Sequence, residues 1–472
     1  MSIAFGTEGW RAVMAEEFTV ANLSAVAQAI AEHLAESSPA GARALTVAVG
    51  HDTRFLSDRF AQVVSEVLAG NGLRVVLTDR AVPTPAVSRY VVAHHLAGGV
   101  MITASHNPPV YNGVKIKEAF GGSATAETVS SVERRIGTHP PKRLVLEQGL
   151  KAGLVTSVNM MPDWKKGIRS CVNLAAIRRR PLKVLVDPMH GTGDRLIEDL
   201  LKGGRCRVET LHAEPDARFG GHAPEPIPRY LGELASAVKR RRWDIGLATD
   251  GDADRIGAVA PNGAFINPGQ IMCVLLEHLM QTRKWKGAVV KTVSNTSMIN
   301  RLAGELGLRL LEVPVGFKHI AKLMLEDDVL IGGEESGGIG IRGYLPERDG
   351  ALNGLLLLEA MAMQKASVRD ILRRLEQRFG RWFYNRQDLT APMDRIDRLF
   401  ERLRAEPPTQ MVGTPVAEVK TLDGIKLIGR DESWLLFRRS GTEPIVRVYA
   451  ESPTARRLER LLEYGVQLVK TA

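Results

Sequence analysis

The sequence predicts an α/β protein: three related α/β units, each a mixed sheet with helices on both faces, followed by a smaller C-terminal α+β domain. Three observations predict this. Short apolar runs alternate with helix-spaced segments, the βαβ rhythm of sheets covered by helices. The rhythm starts three times. After residue 378 it gives way to short strands and a closing helix. A length of 472 residues suits several domains. The expected divisions are 1–155, 156–260, 261–378 and 379–472.

In the first unit, Leu45 to Gly50 is a buried strand, and Asp58 to Ala69 is a helix with Phe60, Val63, Val64 and Leu68 on one face. Strands follow at Leu73 to Leu77 and at Gly98 to Thr103. The second unit has strands at Leu182 to Asp187 and Trp243 to Ala248, with a helix from about Asp194. The third opens with a strand at Gly287 to Lys291 and a helix from about Ser297. A helix ending at Phe379 precedes a polar stretch read as a linker near 380. Strands at Trp434 to Phe437 and Ile445 to Tyr449, and a helix from about Ala455, complete the last domain.

Composition narrows the function. No apolar run approaches the ~20 residues that span a bilayer, and the first residues lack the basic and apolar pattern of a signal peptide. Cys171, Cys206 and Cys273 are far apart, which excludes a disulfide framework or a cysteine zinc site and points to the cytoplasm. The net charge is +10, with basic runs at Arg178 to Arg180 and Lys239 to Arg242. Neither run is interleaved with several aromatics or joined to a nucleic-acid-binding motif. We read them as solvated surface and expect neither nucleic acid nor membrane as a partner. A positive balance also suits dianionic substrates.

Four segments carry chemistry. Thr103 to Pro109 follows a strand, where open α/β sheets bind ligands. It presents Ser105, with His106 beside it to orient a phosphate; an ordinary polar loop is the competing reading. Asp250-Gly251-Asp252-Ala253-Asp254-Arg255 also follows a strand. Three carboxylates at alternate positions repel one another, by ~4 kcal/mol per pair at ~4 Å and an effective dielectric of about 20. A hard divalent cation removes that cost, and Mg²⁺ suits three oxygens with places left for phosphate and water. A calcium loop fails on spacing, because Arg255 and Pro261 stand where Gly and Glu are required. An Asp-x-Asp phosphatase nucleophile remains open.

The third segment, Gly332 to Gly338, sets Glu334 and Ser336 among glycines, as acceptors and a donor for sugar hydroxyls. The overlapping G-x-G-x-x-G at 338–343 is set aside, since Pro346 and Asp349-Gly350 argue for a strand and turn where a dinucleotide site needs a helix. The fourth, Arg438-Arg439-Ser440-Gly441-Thr442-Glu443-Pro444 with Arg447, reads as a phosphate clamp of guanidinium forks and backbone N–H groups.

Together, in this order, these segments resemble the α-D-phosphohexomutase superfamily over nearly the whole chain. Phe5 to Arg11, His51 to Arg54, Asp187 to Gly191 and Pro314 to Lys318 add to the resemblance. The resemblance implies four domains around a central cleft. It implies that Ser105 carries the phosphoryl group, that Asp250, Asp252 and Asp254 hold Mg²⁺ with the Ser105 phosphate, and that Lys115 moves a proton. Arg11 and Arg255 would lie near the transferring group. Glu334, Ser336 and Lys318 would contact the sugar. Arg438, Ser440, Gly441, Thr442 and Arg447 would hold the other phosphate. The implied reaction moves a phosphoryl group between the 1- and 6-positions of a hexose phosphate, with glucose 1,6-bisphosphate as intermediate and activator.

Glucose is the expected sugar. Phosphomannomutase or dual activity is the alternative, and a phosphoglucosamine mutase, a phosphatase or a non-catalytic binding protein ranks lower. Three positions depart from the family pattern, one of them Arg439, which stands where Pro is frequent and adds charge to the clamp. Glu8 stands where Ser or Asp is usual. Gly338 stands where many members carry His, which argues against the glucosamine class. A monomer or homodimer is expected.

Overall fold

The computed structural model describes residues 3–6, 8–36, 45–440 and 444–472. The chain forms two compact units: 1–285 with 316–369, and 286–315 with 370–472.

The first unit contains a six-stranded sheet. Its strands run in the order Trp10–Val13, Tyr111–Glu118, Gly98–Ile102, Thr46–His51, Arg74–Thr78 and Val155–Val158. The last four are mutually parallel; Tyr111–Glu118 joins them antiparallel, and Trp10–Val13 pairs antiparallel with it in turn. The mixed sheet is therefore as expected. Its central strands read as continuous apolar runs because helices cover both faces. Val47, Val49, Val100 and Ile102 are buried against Phe60, Val63, Val64 and Val67 of the helix Ser57–Gly70. The register places Lys115 opposite Met101 and Arg11 opposite Gly113. Lys115 thus lies on the strand beside the one that ends near Ser105, and Arg11 on the next strand out.

A five-stranded sheet follows, in the order Phe265–Ile266, Ile256–Val259, Ile245–Thr249, Lys183–Asp187 and Arg207–Thr210. Ile245–Thr249 runs parallel to Lys183–Asp187 and antiparallel to Ile256–Val259. Residues 250–255 are therefore a hairpin loop at the carboxyl end of a buried parallel strand. A second hairpin pairs Val329–Gly333 with Ile339–Ile341, and residues 334–338 are its loop. The G-x-G-x-x-G at 338–343 forms this strand and a turn, as expected.

In the second unit a six-stranded sheet, antiparallel throughout, runs in the order Phe383–Thr390, Ile445–Ser452, Trp434–Arg439, Ile425–Gly429, Thr414–Lys420 and Gln410–Met411. The helices Met393–Ala405 and Ala455–Lys470 pack on it through Ile396, Leu399, Leu461 and Leu462. Ala288–Thr292 and Leu310–Val313 form a parallel pair in the same unit. Buried Glu451 accepts hydrogen bonds from Trp434 Nε1 and from the Ser297 N–H, both at 2.8 Å.

The polar stretch after residue 380 is corrected. It is an eight-residue strand paired along its whole length with Ile445–Ser452, then a thirteen-residue helix. The strand reads as polar because it is an edge strand, with Asn385, Gln387, Asp388 and Thr390 exposed. Among the described residues no helix is long and apolar enough to cross a membrane.

Candidate active site

Ser105 is fully buried and sits with φ at 52°. A non-glycine residue in this left-handed region costs on the order of 1 kcal/mol, so the surroundings must hold it there. They do so through Asp52 and Arg54. Asp52 accepts from Thr103 Oγ1 at 2.6 Å, from Ser57 Oγ at 2.7 Å and from Arg54 Nε at 3.1 Å. Thr103 Oγ1 in turn accepts from the Ser105 N–H at 2.8 Å. The Arg54 guanidinium spends its remaining N–H groups on four backbone carbonyls of the serine loop. Nη2 donates to Ser105 and Asn107 at 2.7 Å, and Nη1 to Pro108 at 2.9 Å and Tyr111 at 3.0 Å. Arg11 Nη1 adds a bond to Asn107 Oδ1 at 2.8 Å.

The loop presents the Ser105 hydroxyl to the acidic hairpin. Ser105 Oγ donates to Asp250 Oδ2 at 2.8 Å, and His106 Nδ1 lies 3.5 Å from Ser105 Oγ. The two loops approach so closely that a Cβ on Gly251 would stand 2.7 Å from the Ser105 carbonyl oxygen. Only glycine fits there.

Asp250, Asp252 and Asp254 are fully buried and can offer oxygens within 4.8 Å of one another. Lys115 Nζ donates to the Oδ2 atoms of Asp252 and Asp254, each at 2.7 Å. Thr84 Oγ1 also donates to Asp252 Oδ2. The Oδ1 atoms of Asp252 and Asp254 are buried and make no hydrogen bond among the described residues. Orphaned carboxylate oxygens normally cost free energy, and their convergence suits a hard divalent cation with oxygen ligands. The residues present therefore fit Mg²⁺. Arg255 Nε lies 3.9 Å from both Asp250 Oδ2 and Asp254 Oδ1.

The electrostatics agree with this reading. Burial, then the charges of Asp254 and Asp252, push the Asp250 carboxyl well above its usual range. Burial acts in the same direction on Asp252, but the charge and hydrogen bond of Lys115 outweigh it and hold that group low. Burial opposes the charge on Lys115, yet Asp252, Asp254 and Glu8 keep the ammonium above its ordinary value. Glu334 is buried and pushed up to about 7, although Arg348 opposes the shift. Glu8 falls well below its usual range, because Arg348, Lys115, Lys117 and Arg11 together overcome its burial.

Of the remaining sequence-predicted residues, Ser336 lies half-buried in the loop after Val329–Gly333, and Lys318 is half-buried in the first turn of the helix Phe317–Glu326. Arg438 and Arg447 lie opposite each other on adjacent strands of the second unit. Arg438 Nε donates to Asp423 at 2.7 Å, and Arg447 Nε lies 3.8 Å from Asp388. The Ser440 N–H donates to the Ile445 carbonyl at 2.9 Å. Gly441 and Thr442 lie outside the described residues. Sequence reasoning did not single out Asp52, Arg54 or Arg348 as site residues. The first two stood within a family-like stretch and were findable; Arg348 had no local signal.

The chain matches the phosphoglucomutase/phosphomannomutase family in all four of its parts. These are α/β/α domain I at residues 2–142, domain II at 162–263, domain III at 267–379 and the C-terminal domain at 394–466. It is 30% identical to the "Probable phosphoglucosamine mutase" of Methanothermobacter thermautotrophicus, over 95% of this chain and 94% of that one. It is 28% identical to the "Phosphoglucomutase/phosphomannomutase" of Thermococcus kodakarensis, over 100% and 99%. A solved "putative phosphomannomutase" from Thermus thermophilus superposes with a TM-score of 0.87 at 37% identity, covering 100% and 99% of the two chains. With the buried serine, the acid triad and the fold all pointing one way, the chain belongs to the phosphoglucomutase/phosphomannomutase family of the α-D-phosphohexomutase superfamily and is a phosphohexomutase.

Proposed function

We propose that this phosphohexomutase interconverts glucose 1-phosphate and glucose 6-phosphate through a phosphorylated Ser105 and a glucose 1,6-bisphosphate intermediate. The observation that carries the reading is the Ser105 hydroxyl, 2.8 Å from Asp250 and beside two orphaned carboxylate oxygens. The 6-hydroxyl attacks the phosphoserine phosphorus. The bond from phosphorus to Ser105 Oγ breaks as the bond to the sugar oxygen forms. Lys115, held protonated between two carboxylates, supplies a proton to the departing serine oxygen. The proton of the attacking sugar hydroxyl replaces the one that Lys115 gives up.

The bisphosphate then turns end over end, and its 1-phosphoryl group returns to Ser105, releasing glucose 6-phosphate. Such transfers depend on positioning and charge stabilisation. Arg11 and Arg255 supply fixed positive charge, and Mg²⁺, when bound, adds more at the phosphoryl oxygens. Arg438, Ser440, Gly441, Thr442 and Arg447 hold the other phosphate, and Glu334, Ser336 and Lys318 contact the sugar. The three cysteines, none of them in a disulfide, support a reducing, cytoplasmic compartment.

Lack of an imidazole at Gly338 supports glucose over glucosamine, and a dual glucose and mannose enzyme is the second reading. One coupled assay with Mg²⁺ across glucose, mannose and glucosamine 1-phosphates ranks the sugars, with intact mass reporting the phosphate on Ser105. Ser105→Ala should abolish turnover; a near-normal rate in that variant refutes the carrier role. Release of inorganic phosphate without isomerised sugar would favour a phosphatase using Asp250.

A further inference from the structure

Arg348 lies in none of the motifs that mark the site, yet its guanidinium reaches carboxylates from three separate segments. Nη2 donates to Asp254 Oδ2 at 2.6 Å and to Glu8 Oε2, and Nη1 donates to Glu334 Oε2 at 3.2 Å. Nε lies 3.7 Å from Glu347 Oε1, and the guanidinium stacks 5.4 Å over the ring of Phe317. The whole residue is 2% exposed. Its stem passes through the space beside position 338. A Cβ on Gly338 would stand 2.1 Å from Arg348 Cδ and 3.0 Å from both Arg348 Cγ and Glu334 Oε2. Gly338 does not have a positive φ, so its backbone places no demand for glycine. The demand comes from the side chain that runs past it.

We propose that Arg348 is a positioning residue that aims Glu334 at the sugar, that Asp254 and Glu8 anchor it, and that Gly338 is glycine to let it pass. The inference rests on the mutase reading above and adds a residue to it. It also joins two of the departures, Glu8 and Gly338, through one guanidinium. The chemistry requires Arg. A planar fork that never loses its proton can hold two carboxylates on different N–H groups at once, whereas a lysine ammonium is a single point. Glu8 is in turn fixed by Lys117 and Ser123, at 3.4 Å and 3.0 Å. The sugar-facing carboxylate is thereby referenced to the acid loop through rigid, buried partners and not through its own mobile turn.

A double-mutant cycle tests this. Gly338→Ala, Arg348→Met and the double variant are compared by KM and kcat for glucose 1-phosphate, and by calorimetric Kd for glucose 6-phosphate in EDTA. Each single change should raise KM and Kd about tenfold or more, with a smaller change in kcat. The double variant should be no worse than the worse single one, since both remove the same contact. Arg348→Lys should recover only part of the loss. Should Arg348→Met not fold, Glu8→Gln/Arg348→Met replaces it, removing one carboxylate with the cation. Effects that multiply in the double variant, or an unchanged KM and Kd in Arg348→Met, overturn the proposal. A wild-type protein that isomerises no hexose phosphate overturns the mutase reading instead, and the two failures are thereby distinct.

Discussion

Arg54 offers the sharpest test of how the nucleophile is held. All five of its N–H groups are used: one on Asp52 and four on carbonyls between Ser105 and Tyr111. Arg54→Met breaks a buried ion pair, which costs about 3–5 kcal/mol because the partner charge is left uncompensated. It also strips charged donors from four carbonyls, at about 1–3 kcal/mol for each that finds no new partner. The serine loop must then relax, since Ser105 is held at a φ it would otherwise leave. A displacement of about 1 Å suffices for a ~100-fold loss of rate. The assay is hydrogen exchange of the amides from 105 to 111, read with the isomerisation rate. Exchange should accelerate there, and the rate should fall at least 100-fold. Arg54→Lys should fall in between, since an ammonium has three donors and no fork. Unchanged protection of the loop with a rate within threefold of wild type would refute the reasoning.

The backbone at Ser105 predicts that Ser105→Gly is more stable than Ser105→Ala by about 1 kcal/mol, both being inactive; equal unfolding midpoints would show that φ near 52° carries no strain. Lys115→Met leaves two buried carboxylates without their shared cation, and should cost the metal-free protein about 3–5 kcal/mol by denaturant titration. Glu334 binds its proton more tightly folded than unfolded, with a folded value of about 7. Its contribution to stability is therefore complete below its ordinary value and is lost as pH rises through 7, by about 3 kcal/mol. Glu334→Gln should flatten that part of the metal-free stability profile between pH 5 and 7, and an identical slope in the two proteins would count against it. Finally, phosphorylation of Ser105 adds ~2 negative charges beside Asp250, so Mg²⁺ should bind the phosphoprotein at least tenfold more tightly than the unphosphorylated form; equal affinities by calorimetry would place the cation elsewhere.

The loops were legible in the sequence because each packs its chemistry into a few consecutive residues at the end of an apolar strand. Ser105, the Asp250 triad and Glu334 all lie where such strands end. The paired strand Phe383–Thr390 was not legible, since an edge strand with half of its residues in water has the composition of a linker. The next helix carried a signal that the polar background hid. Ile396, Leu399, Phe400 and Leu403 are buried at helical spacing, among seven charged residues of the segment Met393–Ala405.

The supports of the site were harder to read for a different reason. Arg348 and Glu8 are 340 residues apart and Lys115 and Asp254 are 139 apart, and neither pair has any local pattern. A lone arginine after Pro346-Glu347 looks like any solvated turn. What could have exposed it is arithmetic on charge. Asp250, Asp252, Asp254 and Glu334 were all expected to face one cation and one sugar, and such a set cannot be buried without cations of its own. Lys115 covers two of the four and Arg255 stands 3.9 Å from its nearest carboxylates, so Glu334 demanded a further base. Glu8, a carboxylate at a position usually filled by a smaller residue, made the deficit larger. Arg348 meets both demands, and the missing side chain at 338 is the geometric trace of its route.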